Sequence, residues 1–129
     1  MKALTKQWIG LAEESFAATE LLNRMRCKLR PNLLWFHCRE SSRKYFIALL
    51  EENRLPINSV RNLLPLALPL IPRKARHYST RVKLREFSRF DDRFLYPGFI
   101  ATRAEARAAL KACRSIRAEV RLSLGLSKK

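Results

Sequence analysis

FHCRESSRKYFIALL, residues 36–50, carries the clearest helical pattern in this chain of 129 residues. Its apolar and small residues recur at steps of three and four, which is typical of one face of a helix. The helix is expected to begin near Pro31, which suits a first helical turn, and to end before Pro56. The predicted core face contains Leu34, Cys38, Ser41, Tyr45 and Leu49, flanked by Ser42, Phe46 and Leu50.

The same stretch contains charged side chains and a histidine, and these raise the question of a chemical site. Helical spacing places Arg39, Arg43 and Lys44 on the outer surface of the predicted helix. Arg39 and Arg43 are therefore candidate residues for binding a nucleic acid or nucleotide. The spacing assigns His37 to neither the core nor the surface.

Helical spacing also extends to both ends of the chain. From Leu4 to about Leu29 a heptad-like seam predicts one long helix with a single core face. The seam contains Trp8, Leu11, Ser15, Ala18, Leu22, Met25 and Leu29. Near the other end, Thr102 and Glu105 have capping-box spacing, and Gly125 is expected to close the helix that follows. The predicted core row of that helix is Ala106, Ala109, Leu110, Cys113, Ile116, Val120 and Leu124.

The middle of the chain is rich in proline and apolar residues. Residues 58–72 contain Pro65, Pro69 and Pro72, so we expect one short helix and an irregular connection there. A further helix is predicted from Arg73 to about Asp92. No segment alternates with the period of a half-buried strand. The sequence therefore predicts one all-α domain over residues 1–129, an up-and-down four-helix bundle with an additional short helix.

Positive charge dominates the composition. Lys and Arg total 27 against 11 Asp and Glu, which gives a net charge of +16 and a pI near 10.9. Such a surface attracts anionic partners. Eighteen of the 27 basic residues are Arg, whose planar guanidinium grips phosphate in a bidentate manner. This favours RNA or a nucleotide as the partner, and the alternative is an arginine-rich genome that replaces surface Lys without a functional reason.

Cysteine usage and hydropathy bear on localisation. Cys27, Cys38 and Cys113 lie far apart and form no C-x-x-C pair, so we expect them to fill core space in a reducing compartment. The N-terminus lacks the apolar stretch of a signal peptide, and no run approaches the ~20 apolar residues of a membrane span. The prediction is a soluble, cytoplasmic protein without a membrane partner.

A row of basic residues follows one side of the last predicted helix. Its members lie within about a third of the circumference when each residue advances ~100°. They are Arg103, Arg107, Lys111, Arg114, Arg117 and Arg121. Only Glu105 and Glu119 are available along this helix to neutralise them. Such a row could follow a phosphate backbone, and the alternative is a solvated face that keeps the protein soluble.

A second basic cluster occupies residues 72–89, where cations alternate with aromatic rings. Arg73, Arg76, His77 and Tyr78 are the candidate nucleic-acid-binding residues in it. Arginine meets phosphates and an exposed ring stacks on bases, a combination that suits single-stranded nucleic acid.

Few residues in the chain are suited to catalysis or to binding a metal. His37 and His77 are the only histidines and the cysteines have no metal-ligand spacing, so neither a metal nor a cofactor is predicted. The three glycines exclude the usual phosphate-cradling loops. Arg30 lies seven positions before His37, and an Arg/His pair could cleave RNA without a metal.

Residues 36–50 resemble the second helix of HEPN domains, the higher eukaryotes and prokaryotes nucleotide-binding family. Tyr96-Pro97-Gly98 and residues 101–106 are similar to that family's RYPG motif and capped last helix. Trp8 with residues 11–13 is similar to its opening helix, so the resemblance covers nearly the whole chain. The chain departs from the family pattern at Arg39, Glu40 and Arg43, where Gln-Gln and then Glu are usual. Two further departures are Arg61-Asn62-Leu63 in place of His-Asp-Leu and Leu95 in place of the Arg of RYPG.

The resemblance implies a homodimer that binds RNA or a nucleotide, with a small nucleotidyltransferase as partner in a toxin–antitoxin-like arrangement. Many members of the family are ribonucleases with an R-x(4 to 6)-H motif. Arg30 and His37 meet this spacing, but His37 does not stand at the usual ribonuclease position. The resemblance therefore favours a non-catalytic protein. Two alternatives stay open: a metal-independent endoribonuclease that uses Arg30 and His37, and a protein–protein interaction module.

Overall fold

Three helices make up the part of the chain that the computed structural model describes, which is residues 1–25, 31–57, 70 and 100–127. They are α1 (Ala3–Arg24), α2 (Pro31–Glu52) and α3 (Arg103–Ser123). These ranges contain no strand, so the all-α class is confirmed for them. None of these three helices is long and apolar enough to cross a membrane. The helices predicted in residues 58–72 and 73–92 lie outside the described residues.

α2 packs against both α1 and α3. α1 runs antiparallel to α2, because Thr5 donates to Glu52 and Ser41 donates to the carbonyl of Ala12. α3 runs parallel to α2, since the amide of Ala101 donates to Asn32 near the start of both helices. α1 and α3 therefore meet across the surface of α2 in an antiparallel arrangement.

The predicted core face of α2 is confirmed for most of its members. Buried side chains there are Cys38, Ser41, Ser42, Tyr45, Phe46 and Leu50, while Leu34 and Leu49 are partly buried and pack against the core. Trp35, Ile47 and Ala48 are also buried, so the core covers a wider part of the helix than the predicted face. Each large apolar side chain that is fully removed from water contributes roughly 1.5–3 kcal/mol.

The outer-surface prediction for Arg39 is wrong, because this residue is only 7% exposed. Arg43 and Lys44, also placed on the outer surface, are half-buried. Lys44 Nζ donates to Ser15 Oγ on α1 at 2.6 Å. α2 packs against both α1 and α3, and its buried residues extend beyond a single helix face. A single-face helical pattern does not anticipate this.

α3 begins and ends as predicted. Thr102 Oγ1 accepts a hydrogen bond from the Glu105 amide at 3.0 Å, and the Glu105 carboxylate accepts one from the Thr102 amide at 3.0 Å. This capping box satisfies two amides that the first turn leaves without helical partners. Past the C-terminus, Gly125 has a φ of +76°, which a glycine adopts without a steric penalty. The core row is buried as predicted, apart from the half-buried Leu124.

Cys38 and Cys113 are buried, free thiols where α2 meets α3, which confirms for these two that they fill core space, while Cys27 lies outside the described residues. A hydrogen bond with the Cys113 thiol and burial together raise the pKa of Cys38. Nearby, Ser42 Oγ donates to the Cys38 carbonyl at 2.8 Å and so satisfies its own hydroxyl inside the core. The interface between α2 and α3 is thus buried and uncharged around Cys38 and Cys113.

The predicted core face of α1 is wrong. The buried residues are Thr5, Ile9, Ala12 and Thr19, which lie on a different face from the seam. From the seam, Leu11 is 44% exposed and Met25 is 53% exposed, although Trp8 is partly buried against the core. Small residues on the buried face allow α1 to approach α2 closely, as shown by Ser41 Oγ, which reaches the Ala12 carbonyl at 3.4 Å.

Alanine substitutions on α1 test which of its faces is buried. Ile9→Ala is expected to lower the free energy of unfolding by about 2–5 kcal/mol, because it leaves a cavity in the core. Leu11→Ala is the matched control two residues away and is expected to change stability by less than about 0.5 kcal/mol. Urea denaturation followed by circular dichroism measures both. A larger loss for Leu11→Ala than for Ile9→Ala would place the core on the seam instead.

Candidate nucleic-acid interface

Ion pairs between α1 and α3 hold part of the predicted basic row. Arg114 donates through Nε and Nη2 to the two oxygens of Glu20, at 2.7 and 2.8 Å. Arg117 Nε donates to Glu13 at 3.1 Å, and Arg121 Nη1 donates to the other oxygen of Glu13 at 2.5 Å. We call these three arginines and two glutamates the ion-pair row. The bidentate contact of Arg114 with Glu20 is stronger and more directional than a single hydrogen bond.

The middle of the ion-pair row is sheltered from water. The Arg117 guanidinium lies 4.6 Å from the centre of the Phe16 ring on α1, a cation–π distance. Beneath it, the Tyr45 hydroxyl is buried and has no hydrogen-bond partner among the described residues. Burial, followed by the negative charge of Glu13, raises the pKa of Tyr45 well above its usual range. Tyr45 is therefore a neutral phenol that packs under the charged pair.

Glu20 and Arg114 stabilise each other's charged forms. The hydrogen bond from Arg114 is the main reason that the pKa of Glu20 is lowered from its ordinary value of 4.5. The same hydrogen bond raises the pKa of Arg114. Both groups are thus charged at neutral pH. Because the Arg114 side chain is 49% exposed, solvent screens this pair and its net contribution to stability is small.

The first half of α3 carries cations that no described carboxylate neutralises. Arg103, Arg107 and Lys111 are exposed, and none of them forms an ion pair with a residue of the described ranges. We call these three residues the unpaired basic patch. Because α1 runs antiparallel to α3, the patch continues the line of the ion-pair row past Glu20, its last acid. Within the described part of the chain, the basic row therefore has acidic partners at one end and none at the other.

The candidate residues on α2 form a separate cluster around Glu40. Arg39 Nη1 donates to one Glu40 oxygen at 3.2 Å, and Arg43 donates to the other through Nε and Nη2, at 3.3 and 2.9 Å. One carboxylate thus accepts hydrogen bonds from two guanidinium groups. Burial of Arg39 leaves Arg43 as the more accessible of the two cations.

His37 is half-buried, and its ring makes an edge contact with Phe36 at a centroid distance of 5.4 Å. Its predicted partner, Arg30, lies outside the described residues. The same holds for the candidates of the second basic cluster, Arg73, Arg76, His77 and Tyr78. Within the described ranges no group of three His, Cys, Asp or Glu side chains could hold a metal ion.

Sequence reasoning missed that the basic row on α3 has acidic partners on α1. It considered only Glu105 and Glu119, which lie on the same helix. Glu13 and Glu20 are seven residues apart and lie on one side of α1, at the spacing of two helical turns. That spacing matches Arg114 and Arg121 on α3, and it is the one sequence signal that could have indicated the pairing.

Comparison of the chain with models of protein families, with curated proteins and with solved structures finds no match.

The pH dependence of stability tests the Glu20–Arg114 pair. A carboxyl whose pKa is lower in the folded than in the unfolded state stabilises the fold when the pH is above its ordinary pKa. This stabilisation is lost as the pH falls through the pKa of the folded state. We expect Glu20→Gln to lower the free energy of unfolding at pH 7 by about 1 kcal/mol or less, and the difference from wild type to vanish in acid.

Glu14→Gln is the control for this measurement, because Glu14 is an exposed acid on the same helix with no ion pair among the described residues. The free energy of unfolding of Glu14→Gln is expected to stay close to that of wild type from pH 7 down to pH values below 4.5, which is the ordinary pKa of Glu20. Urea denaturation at a series of pH values provides both curves. Identical curves for the two variants would show that Glu20 has no stabilising partner.

Proposed function

We propose that this protein is a non-catalytic module that binds the phosphates of RNA or of a nucleotide through the first half of α3. The observation that carries the proposal is the unpaired basic patch, three neighbouring exposed cations without a carboxylate among the described residues. Exposed cations that neutralise phosphates release the counterions condensed on the nucleic acid, and this release is a large part of the affinity for nucleic acids.

The ion-pair row supports this assignment by elimination. Arg117 and Arg121 are directed at Glu13, and a phosphate would have to displace that carboxylate to reach them. Breaking a partly buried pair leaves a charge without a partner, which costs more than an exposed contact gains. Arg114 is more exposed but is held by two hydrogen bonds to Glu20. The basic row thus provides two groups with different roles, one structural and one available to a ligand.

The length of the patch fits contact with a phosphate backbone. Arg103, Arg107 and Lys111 are spaced four residues apart, so their side chains follow one another along one side of the helix. One helical turn rises 5.4 Å, so the three positions span about 12 Å. This length corresponds to a few successive phosphates, whose contacts position a protein on its ligand without reading sequence.

The wider proposal is that of a HEPN-like protein. The three described helices fit the all-α class, and the buried free thiols fit a reducing compartment such as the cytoplasm. We extend this to a four-helix bundle in which residues 73–92 supply the fourth main helix. Homodimer formation and a nucleotidyltransferase partner remain predictions from the resemblance, as does the metal-independent ribonuclease alternative with Arg30 and His37.

Binding of a fluorescent single-stranded RNA at a series of salt concentrations tests the unpaired basic patch. The triple variant with Arg103, Arg107 and Lys111 changed to Gln is expected to bind more weakly. The slope of log K against log salt should fall in magnitude by about 2, since three phosphate contacts are lost at ~0.7 each. Competition with ATP distinguishes a nucleotide ligand from an RNA ligand.

The matched control changes Lys6, Arg24 and Arg54 to Gln, three exposed cations outside the patch. It removes the same charge, so an effect of net charge alone would appear equally in both variants. The proposal fails if the two triple variants have the same affinity and salt slope. Gel analysis of the RNA after incubation without metal tests the ribonuclease alternative, for which cleavage would be lost in His37→Ala.

A further inference from the structure

Arg114 stands at the boundary between the two groups of cations on α3. It belongs to the ion-pair row, yet its side chain is 49% exposed, against 15% for Arg117 and 16% for Arg121. Its Nε and Nη2 atoms donate to the two oxygens of a single carboxylate, that of Glu20. The other two arginines share Glu13. Arg114 is therefore the member of the row that a ligand in solution reaches most easily.

Helical geometry places Arg114 in line with the unpaired basic patch. It follows Lys111 by three residues and Arg107 by seven, so it lies about one and two turns beyond them. With ~100° per residue, the four positions from Arg103 to Arg114 fall within about 80° of the circumference. Adding Arg114 would lengthen the line of cations from about 12 Å to about 16.5 Å. One carboxylate thus separates a site of three cations from a site of four.

The contact with Glu20 occupies a pair of donors that would otherwise hold a phosphate. A guanidinium binds carboxylate and phosphate through the same parallel N–H groups. In Arg114 the Nε and Nη2 donors are both directed at Glu20, at 2.7 and 2.8 Å. A phosphate at this position would also meet the negative charge of the carboxylate, which repels it at close range. Glu20 thus competes with the ligand for Arg114.

We infer that Glu20 sets the length of the phosphate site by withholding Arg114 from it, so that the native site makes three phosphate contacts and loss of the carboxylate adds a fourth. The inference rests on the proposed function, since it concerns where the unpaired basic patch ends. It gives Glu20 a second role besides joining α1 to α3. Because Glu20 acts on the ligand through Arg114, it is a positioning residue.

Glu20→Gln tests this inference, because the amide keeps the shape of the side chain and loses its charge. The affinity of this variant for the fluorescent single-stranded RNA is expected to be at least about twofold higher than that of wild type at low salt. The slope of log K against log salt should rise in magnitude by about 0.7, the value for one further phosphate contact with a single strand. Both changes are opposite in sign to those expected for the triple variant of the unpaired basic patch.

The controls are Glu14→Gln and the double variant that combines Glu20→Gln with Arg114→Gln. The first removes the same charge from an exposed acid of α1 that has no ion pair among the described residues, and its salt slope should equal that of wild type. The second replaces the whole pair by neutral groups, and its affinity should return to that of wild type because the fourth cation is gone. Arg24, an exposed cation whose Nε donates to the Glu20 carbonyl, is intact in both, so a gain caused by Arg24 would persist in the double variant.

The Nε–Hε NMR signal of Arg114 provides a readout that a merely structural role of Glu20 would leave unchanged. On addition of RNA, this signal should shift in Glu20→Gln and stay in place in wild type. The signals of Arg117 and Arg121 should stay in place in both proteins, because their partner Glu13 is unaltered.

Wild-type affinity and salt slope in Glu20→Gln would overturn the inference. An affinity gain that persists in the double variant, or that is equally large in Glu14→Gln, would overturn it as well. The triple variant of the unpaired basic patch separates these results from a failure of the proposed function. If the triple variant binds RNA like its matched control, the patch is not the site. If it binds more weakly while Glu20→Gln equals wild type, only the length assigned to the site is wrong.

Discussion

The ion pairs of Glu13 and Glu20 with Arg114, Arg117 and Arg121 determine how this protein distributes its charge. α1 and α3 both pack on α2, and these side chains join the two outer helices across its surface. A chain with a net charge of +16 must limit repulsion between neighbouring cations in order to fold. It does so by placing two of its 11 acidic residues where three arginines converge. Guanidinium groups that would otherwise repel one another thereby join two helices.

The division of the basic row follows from the same geometry. α1 has acids at positions 13 and 20 on the side facing α3, and the next position at that spacing is Cys27. The cations of α3 continue for about three further turns beyond Arg114, the partner of Glu20, at Lys111, Arg107 and Arg103. They have no acid of α1 to meet, so they retain their charge and their hydration. The proposed phosphate-binding role arises where the acidic partners end.

The sequence predicted α2 and α3 well because their signals are local. The capping box at Thr102 and the apolar row from Ala106 to Val120 identify α3 without knowledge of any other helix. The face of α1 could not be identified this way, because its buried residues Thr5, Ala12 and Thr19 are small, and apolar periodicity selects the larger leucines instead. Small residues are buried because they allow close approach, a property that depends on the neighbouring helix.

The candidate site was harder to predict than the fold for a related reason. The basic row on α3 was recognised, yet its division required the orientation of α1, which no local pattern provides. Arg39 was expected on the surface because its charge fits there, yet it is buried on a helix that packs against both α1 and α3. A helix that packs against two others has little surface left, so its polar residues must find partners inside.

Arginine side-chain NMR provides the most direct measurement of the central claim, which is that α3 separates structural cations from available ones. In a spectrum of the Nε–Hε groups, the signals of Arg114, Arg117 and Arg121 should exchange slowly with water and should stay in place when RNA is added. The signals of Arg103 and Arg107 should exchange rapidly and shift on addition of RNA. Equal exchange for all five, or shifts confined to Arg117 and Arg121, would contradict the account.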